Sequence, residues 1–215
     1  MIYIVTGYNA ESVISSAKTI DGLSKIISVN HQSFEHLLAE SIASTLHEVV
    51  SSNSFSHVVA PSTNFGKNFF PRFAGLMGVS PVTDVVEILG ENEFVRPMYA
   101  GNALATLSTS SPTKLITVRI TAFEKAEMNG DGCEVEEMEF DPTSDLSSFM
   151  SESVSKSERP DLTSADVVVS GGRGMKNGEN FEILEKLADK FGGTGLFFLK
   201  LSLFELILWL VVFFQ

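Results

Sequence analysis

The chain has 215 residues, 44% of them hydrophobic, which allows one large domain or two small ones with ample core. A net charge of −12 argues against nucleic acid or an anionic membrane surface as partner, because phosphates would repel it. The single cysteine, Cys133, excludes an internal disulfide framework and fits a reducing compartment.

The charge is uneven: residues 123–161 hold 12 acidic and 3 basic side chains, so 9 of the 12 net negative charges lie there. Cys133 sits in that acidic stretch and reads as a plain thiol.

Residues 2–5 read as a short buried strand, with Gly7 and Asn9 turning out of it. The strand pattern starts almost at Met1, so no basic presequence or signal peptide is expected within the chain. Residues 11–20 form a weak helix pattern, and 25–29 a second strand. Residues 34–50 give the clearest helical period of the first half, through Phe34, Leu37, Leu38, Ile42, Leu46, Val49 and Val50. His36 and His47, eleven residues apart, would stand about 16 Å apart along a helix and could not share a metal. With His31 they read as solvated or helix-capping histidines.

Residues 57–60 form a third strand, followed by a polar loop. Residues 65–77 read as a helix with Phe65, Phe69, Phe73 and Leu76 inward and Pro71 as a kink or restart point. Gly66-Lys67 suggests a phosphate loop. However, Pro61 occupies the place of the first glycine, and Asn68 that of the serine or threonine that would hold magnesium. Residues 82–89, 94–100, 103–107 and 115–120 are four strand candidates with turns between them. The small residues of Tyr99-Ala100-Gly101-Asn102-Ala103 suggest a close strand crossing. The order, β-α-β first and consecutive strands later, predicts an α/β fold. Its sheet is mostly parallel, flanked by helices, with antiparallel additions at an edge. Residues 133–140 alternate weakly as an edge strand, and 143–159 are a Ser-rich, charged connection with a short helix.

The most informative stretch is 166–190. The run Val167-Val168-Val169 ends in Ser170-Gly171-Gly172-Arg173-Gly174, and an amphipathic helix follows with Phe181, Leu184, Leu187 and Ala188 on one face. A strand, a glycine turn and a helix together open a nucleotide-binding unit, in which glycines admit backbone N–H groups to a phosphate. The motif is incomplete as G-x-G-x-x-G, because Asn177 stands where the last glycine belongs. Two readings stand: Gly171, Gly172, Arg173 and Gly174 edge a cofactor site, with Arg173 able to face an anion, or they form a tight turn needed only for packing.

The blocks FGKNFFPR (65–72), VSPVTDV (79–85), FVRPMYAGNALATL (94–107), TVRITAF (117–123) and SERPDLTSADVVVSGGRGMKNGENFEILEKLAD (157–189) occur together and in order. By these blocks the chain resembles the electron-transfer flavoprotein alpha subunit over residues 1–194. The resemblance implies an adenine-nucleotide-hydrolase-like N-terminal α/β domain (1–160) that serves as a structural and subunit-contact platform. It also implies the first β-α unit of an FAD-binding domain (161–194). It further implies a heterodimer with a beta subunit, bound FAD and a mitochondrial matrix location. Electrons would come from acyl-CoA and other dehydrogenases in fatty acid beta-oxidation and pass to a membrane quinone reductase. The protein would then be an electron carrier rather than an enzyme with its own substrate turnover. Gly171, Gly172, Arg173 and Gly174 are the cofactor-binding candidates; no catalytic residue and no metal site are expected.

Three departures from that family are expected to matter. The family has another strand and helix ahead of the strand matched by residues 2–6. Most of its FAD-binding residues fall beyond the equivalent of Thr194, so the FAD site is expected to be incomplete. Residues 195–215 do not resemble the family. This tail is intensely apolar, with Lys200 and Glu205 inside it, and three readings are open: sequence foreign to the gene, a membrane anchor, or a hydrophobic hairpin or core strand. The alternative function is a non-redox α/β fragment serving only subunit contact or weak nucleotide binding. Arg72, Arg96 and Arg119 read as structural ion-pair partners.

Overall fold

The computed structural model describes residues 1–142, 146–153, 167–191, 196–198 and 212–214. The chain divides into two compact units, Met1–Met150 and Ser151–Gln215.

In the first unit the order is β1 (Ile2–Gly7), α1 (Glu11–Ala17), β2 (Lys25–Asn30), α2 (Ala39–Ser52), β3 (His57–Pro61) and α3 (Asn64–Met77). There follow β4 (Val82–Val85), β5 (Glu87–Ile88), β6 (Glu93–Met98), β7 (Ala103–Ser108), β8 (Lys114–Val118) and β9 (Glu134–Glu137). Two sheets are wholly parallel, ordered β1-β2-β9 and β3-β8-β4. The third, β5-β6-β7, is antiparallel and is joined to the end of β4 by the Val86 N–H, which donates to Val95 O at 2.8 Å. The protein is thus α/β, with mostly parallel sheets flanked by helices and an antiparallel addition. The weak alternation at 133–140 is β9, which lies at a sheet edge.

The continuous apolar runs of β2 and β8 are what parallel strands covered on both faces require. Ile27 and Val29 point into the main core, which is filled by Phe34, Ile42 and Val49 and by Phe69, Phe70 and Phe73 of α3. Ile26, on the opposite face of β2, packs with Val5, Ala10 and Ala17 under α1, where Cys133 is half-buried. On β8, Leu115 joins the main core, while Ile116 turns to Val82, Val85 and Phe94.

Three local expectations are corrected. The helical period begins at Ala39 rather than Phe34, because Leu37 takes φ 48° and breaks the backbone path. Phe34 is still buried, but from a 3-10 turn (Gln32–Phe34) capped by His31, whose Nδ1 accepts from Ser33 N at 3.2 Å. The helix at 64–77 runs unbroken through Pro71, and its buried face is Gly66, Phe69, Phe70, Phe73 and Ala74. Phe65 and Leu76 lie outward at 45% and 54% exposure, so the period is right but its phase is turned by about one residue. Tyr99–Gly101 is a hairpin turn between β6 and β7 rather than a strand crossing. Tyr99, Ala100 and Gly101 all have positive φ (51°, 55° and 88°), and a Cβ on Gly101 would meet nothing within 4 Å. Backbone conformation, not space, demands the small residues there.

The second unit contains β10 (Val167–Gly171), α4 (Phe181–Lys190), β11 (Leu196–Phe198) and β12 (Val212–Phe214). β10 is central, parallel to β11 and antiparallel to β12. Val169, Leu184 and Ala188 form its core. Leu196–Phe198 and Val212–Phe214, the described parts of the apolar tail, add strands to β10. No helix among the described residues is long and apolar enough to cross a membrane. The expected connection at 143–159, the domain boundary at 160–161 and most of the tail at 195–215 lie outside the described residues.

Candidate functional site

The glycine turn begins where β10 stops. Gly171 is its last residue, and a Cβ there would lie 2.4 Å from Leu184 Cδ1 and 3.0 Å from Met175 Cγ. The absent side chain lets α4 seat on the strand, so Gly171 is a packing residue. Gly172 differs: a Cβ on it would meet nothing within 4 Å. Arg173, Gly174 and Met175 follow as a 3-10 turn closed by Met175 N donating to Gly172 O at 3.0 Å.

The turn is not immediately at a helix N-terminus. A second 3-10 turn, Gly178–Asn180, separates it from α4. Lys176 takes φ 65°, Asn177 Oδ1 accepts from Asn180 N at 3.2 Å, and Asn180 Nδ2 donates to Met175 O at 2.6 Å. These bonds lock residues 172–180 from within. The lock was not legible from the glycine pattern, although the Asn177–Asn180 spacing is that of a side-chain cap.

The four candidates therefore divide. Gly171 belongs to the packing reading. Gly172 and Gly174 border the outer side of the turn, where backbone can approach a ligand, and Arg173 lies between them. The turn presents an open glycine backbone at Gly172 on an internally bonded loop. Unequal effects are expected from two substitutions. Gly171→Ala should lower the unfolding free energy of the second unit by about 1 kcal/mol, since Leu184 can shift partly out of the way. Gly172→Ala should leave stability within about 0.5 kcal/mol. Denaturation followed by hydrogen exchange in α4 checks both.

A second polar cluster lies at the carboxyl ends of β3, β4 and β8, where parallel α/β sheets place their ligand-facing loops. Thr63 caps α3, its Oγ1 accepting from Gly66 N at 3.1 Å. A Cβ on Gly66 would fall 1.9 Å from Pro61 O, so the FGKN start of α3 is glycine-bound by close backbone approach. Lys67 follows it, in a turn that is no phosphate loop. Asp84 takes φ 60° at a register shift in β4, and Arg119 grips its carboxylate with both Nε (3.1 Å) and Nη2 (2.5 Å). Thr117 Oγ1 accepts from Asp84 N at 2.9 Å. Asp84 is the residue the sequence reading missed. Arg119 was read as an ion-pair partner, but only the fold reveals with whom. Arg72 likewise pairs with Glu40 at 3.0 Å, whereas Arg96 Nε is enclosed without a hydrogen-bond partner among the described residues.

The hydrogen bonds and charge of Arg119, aided by the charge of Lys67, hold the Asp84 carboxyl below its ordinary value. A lowered folded value means the pair stabilises the protein above the ordinary carboxylate range. That contribution is lost as pH falls through the range. Asp84→Asn should therefore cost about 1 kcal/mol at neutral pH, a modest figure because both groups are partly exposed, and the deficit should shrink on acidification. Stability measured across the acid limb for both proteins checks this.

Among the described residues no group of three or more His, Cys, Asp or Glu could hold a metal. His31 Nε2 lies 3.7 Å from Asp141 Oδ1 and His36 stacks on Phe149, so both serve local packing.

A parallel α/β unit with polar loops at its strand ends, and a second unit opening on strand, glycine turn and helix, define a protein of the α/β class. The comparisons agree with this and sharpen it. The Electron transfer flavoprotein domain family matches residues 2–143, and the Electron transfer flavoprotein FAD-binding domain family matches residues 161–195. The chain belongs to the electron transfer flavoprotein family. It is 42% identical over 191 residues to the electron transfer flavoprotein subunit alpha of Pseudomonas aeruginosa, covering 89% of this chain and 61% of the relative. It is 42% identical over 204 residues to the mitochondrial alpha subunit of Dictyostelium discoideum, covering 89% and 58%. To that of Arabidopsis thaliana it is 41% identical over 197 residues, covering 86% and 53%. The chain thus spans between half and two thirds of the length of these relatives.

Proposed function

We propose that this chain supplies the contact platform and one wall of the flavin site of an electron-transfer flavoprotein alpha subunit. The observation that carries the reading is the Gly172 turn: open backbone on a locked loop, within the segment that matches the FAD-binding family. FAD, when bound, supplies the electron chemistry, while the protein positions it and tunes its surroundings. Gly172, Arg173 and Gly174 would border its anionic part, and Gly171 would keep the turn seated on α4. The reading places electron carriage in the assembled flavoprotein rather than in this chain alone.

The partner in this reading is a beta subunit. The β6–β7 hairpin supports it: Tyr99 and Leu104 are 79% and 70% exposed at its end, an apolar surface of the kind that partners cover. Acyl-CoA dehydrogenases as donors, a membrane quinone reductase as acceptor, fatty acid beta-oxidation and the mitochondrial matrix complete the proposal by family relationship. Several eukaryotic relatives carry the word mitochondrial in their names, while the Pseudomonas relative is bacterial.

The test is co-purification with the beta subunit and FAD, read by sedimentation and by flavin absorbance. Wild-type chain should sediment with the beta subunit, and a Tyr99→Glu, Leu104→Glu double variant should not. The chain alone should hold no stoichiometric flavin. Association of the wild type with the beta subunit without flavin absorbance in the complex would leave the non-redox fragment as the better reading.

A further inference from the structure

Residues 119–133 join β8 to β9 and contain one of the two Asn-Gly dipeptides of the sequence, Asn129-Gly130; the other is Asn177-Gly178. The first dipeptide lies against the loop between α1 and β2. Gly130 N donates to Thr19 O at 2.9 Å, and Asp21 N donates to Glu127 O at 2.9 Å. These two bonds dock residues 127–130 on residues 19–21. The approach is close. A Cβ on Gly130 would fall 2.7 Å from Ile20 O and 3.0 Å from the Ile20 carbonyl carbon. Both are backbone atoms, so no rotamer change relieves the contact, and position 130 is reserved for glycine. Ile20 in turn packs against the core of Val5, Ala17 and Ile26, which fixes the loop that Gly130 meets.

The glycine that packing requires is also the residue that makes the preceding asparagine reactive. A backbone amide nitrogen can attack the side-chain carbonyl carbon of the asparagine before it, and a following residue without a side chain hinders that attack least. Asparagine is for this reason among the thermolabile residues. Asn129 is exposed to water, and its Nδ2 donates to Glu127 Oε2 at 2.7 Å.

We propose that Asn129 is a deamidation site whose reaction is held back by the docking of its loop on residues 19–21, and whose product undocks that loop. In the reaction the Gly130 nitrogen forms a bond to Asn129 Cγ and the Cγ–Nδ2 bond breaks. Nδ2 leaves as ammonia and takes up the proton that Gly130 N gives up. Water then opens the cyclic imide to an aspartyl or an isoaspartyl residue, and nothing is oxidised or reduced. In the docked loop the Gly130 nitrogen is withheld from attack, because its N–H is committed to Thr19 O and its backbone is pinned against Ile20. The product loses that fit. A carboxylate stands where Nδ2 met Glu127 Oε2, with Asp131 two residues on, and the like charges repel. The isoaspartyl form also lengthens the main chain by a methylene just ahead of Gly130, where the contact with Ile20 leaves no slack. This inference is independent of the flavin reading, because the loop lies in the first unit and uses none of the glycine turn.

The test follows amide-to-acid conversion at both dipeptides by peptide mass spectrometry. The full chain is incubated at mildly alkaline pH in buffer and, in parallel, in guanidinium chloride. In denaturant Asn129 and Asn177 should convert at similar rates, because both are then followed by an unrestrained glycine. In buffer Asn129 should convert about 10–100-fold more slowly than in denaturant, the population penalty for opening two backbone hydrogen bonds. Exchange of the Gly130 amide should be slowed by a similar factor, since both reactions wait on the same local opening. Asn129→Asp reproduces the charge of the product. It should abolish the exchange protection of the Gly130 and Asp21 amides while those of β2 stay protected. Equal rates at Asn129 in buffer and in denaturant would overturn the proposal. So would an Asn129 still unconverted in denaturant when Asn177 has reacted, or unchanged protection of Gly130 and Asp21 in Asn129→Asp.

Discussion

Gly66→Ala is expected to lower the stability of the first unit by about 3 kcal/mol, at the upper end for an overpacked site. The methyl group would fall 1.9 Å from Pro61 O, and a backbone carbonyl cannot rotate away as a side chain can. Relief requires either β3 or the first turn of α3 to move. Moving α3 loosens the Thr63 cap and the burial of Phe69 and Phe70 together. Gly75, in the same helix, is the internal control. It is exposed, and a Cβ there meets nothing within 4 Å, so Gly75→Ala should stabilise by up to about 1 kcal/mol through helix propensity. Two identical substitutions in one helix should thus move the denaturation midpoint in opposite directions. Equal effects from both would show that helix propensity alone governs this segment and that the Pro61 contact is unimportant.

Phe73→Ala is expected to cost about 3–5 kcal/mol, the range for emptying a buried aromatic site. Phe73 is 0% exposed and packs edge-on against Phe70, with ring centres 5.7 Å apart. Three phenylalanines from one helix, Phe69, Phe70 and Phe73, meet the strands there, and the helices α2 and α3 leave little freedom to collapse into a void. For a unit of about 150 residues each kcal/mol corresponds to about 2–4 °C, so the melting midpoint should fall by roughly 6–20 °C. Leu76→Ala is the informative comparison. Leu76 repeats the helical spacing from Phe73, yet it is 54% exposed and should cost less than about 1 kcal/mol. A large loss at Leu76 with a small one at Phe73 would restore the inward face expected from periodicity.

That comparison shows what kind of information the sequence carries. The period of 3.6 in residues 64–77 was visible, but not which of two adjacent arcs turns inward, because six phenylalanine, leucine and methionine side chains encircle the helix. Only the position of β3 and β8 selects Phe70 and Ala74 over Phe65 and Leu76. The same holds at 34–38, where apolar spacing continued through Leu37 but a positive φ there delays the helix to Ala39. Asp84 could not have been singled out at all. Its role depends on Arg119, thirty-five residues later and just past the end of β8. The glycine turn lay between these cases. The pattern located it on the chain, and the Cβ environments of Gly171 and Gly172 then separated packing from access.

By itself the sequence determined the α/β class, the order of strands and helices, the absence of a disulfide framework and the family. Local periodicity, turn residues and composition are properties of neighbours along the chain. The tertiary structure alone decided which helix faces are buried and which arginine holds which carboxylate. Those outcomes depend on contacts between residues far apart in the chain, and no local pattern encodes the partner on the other side.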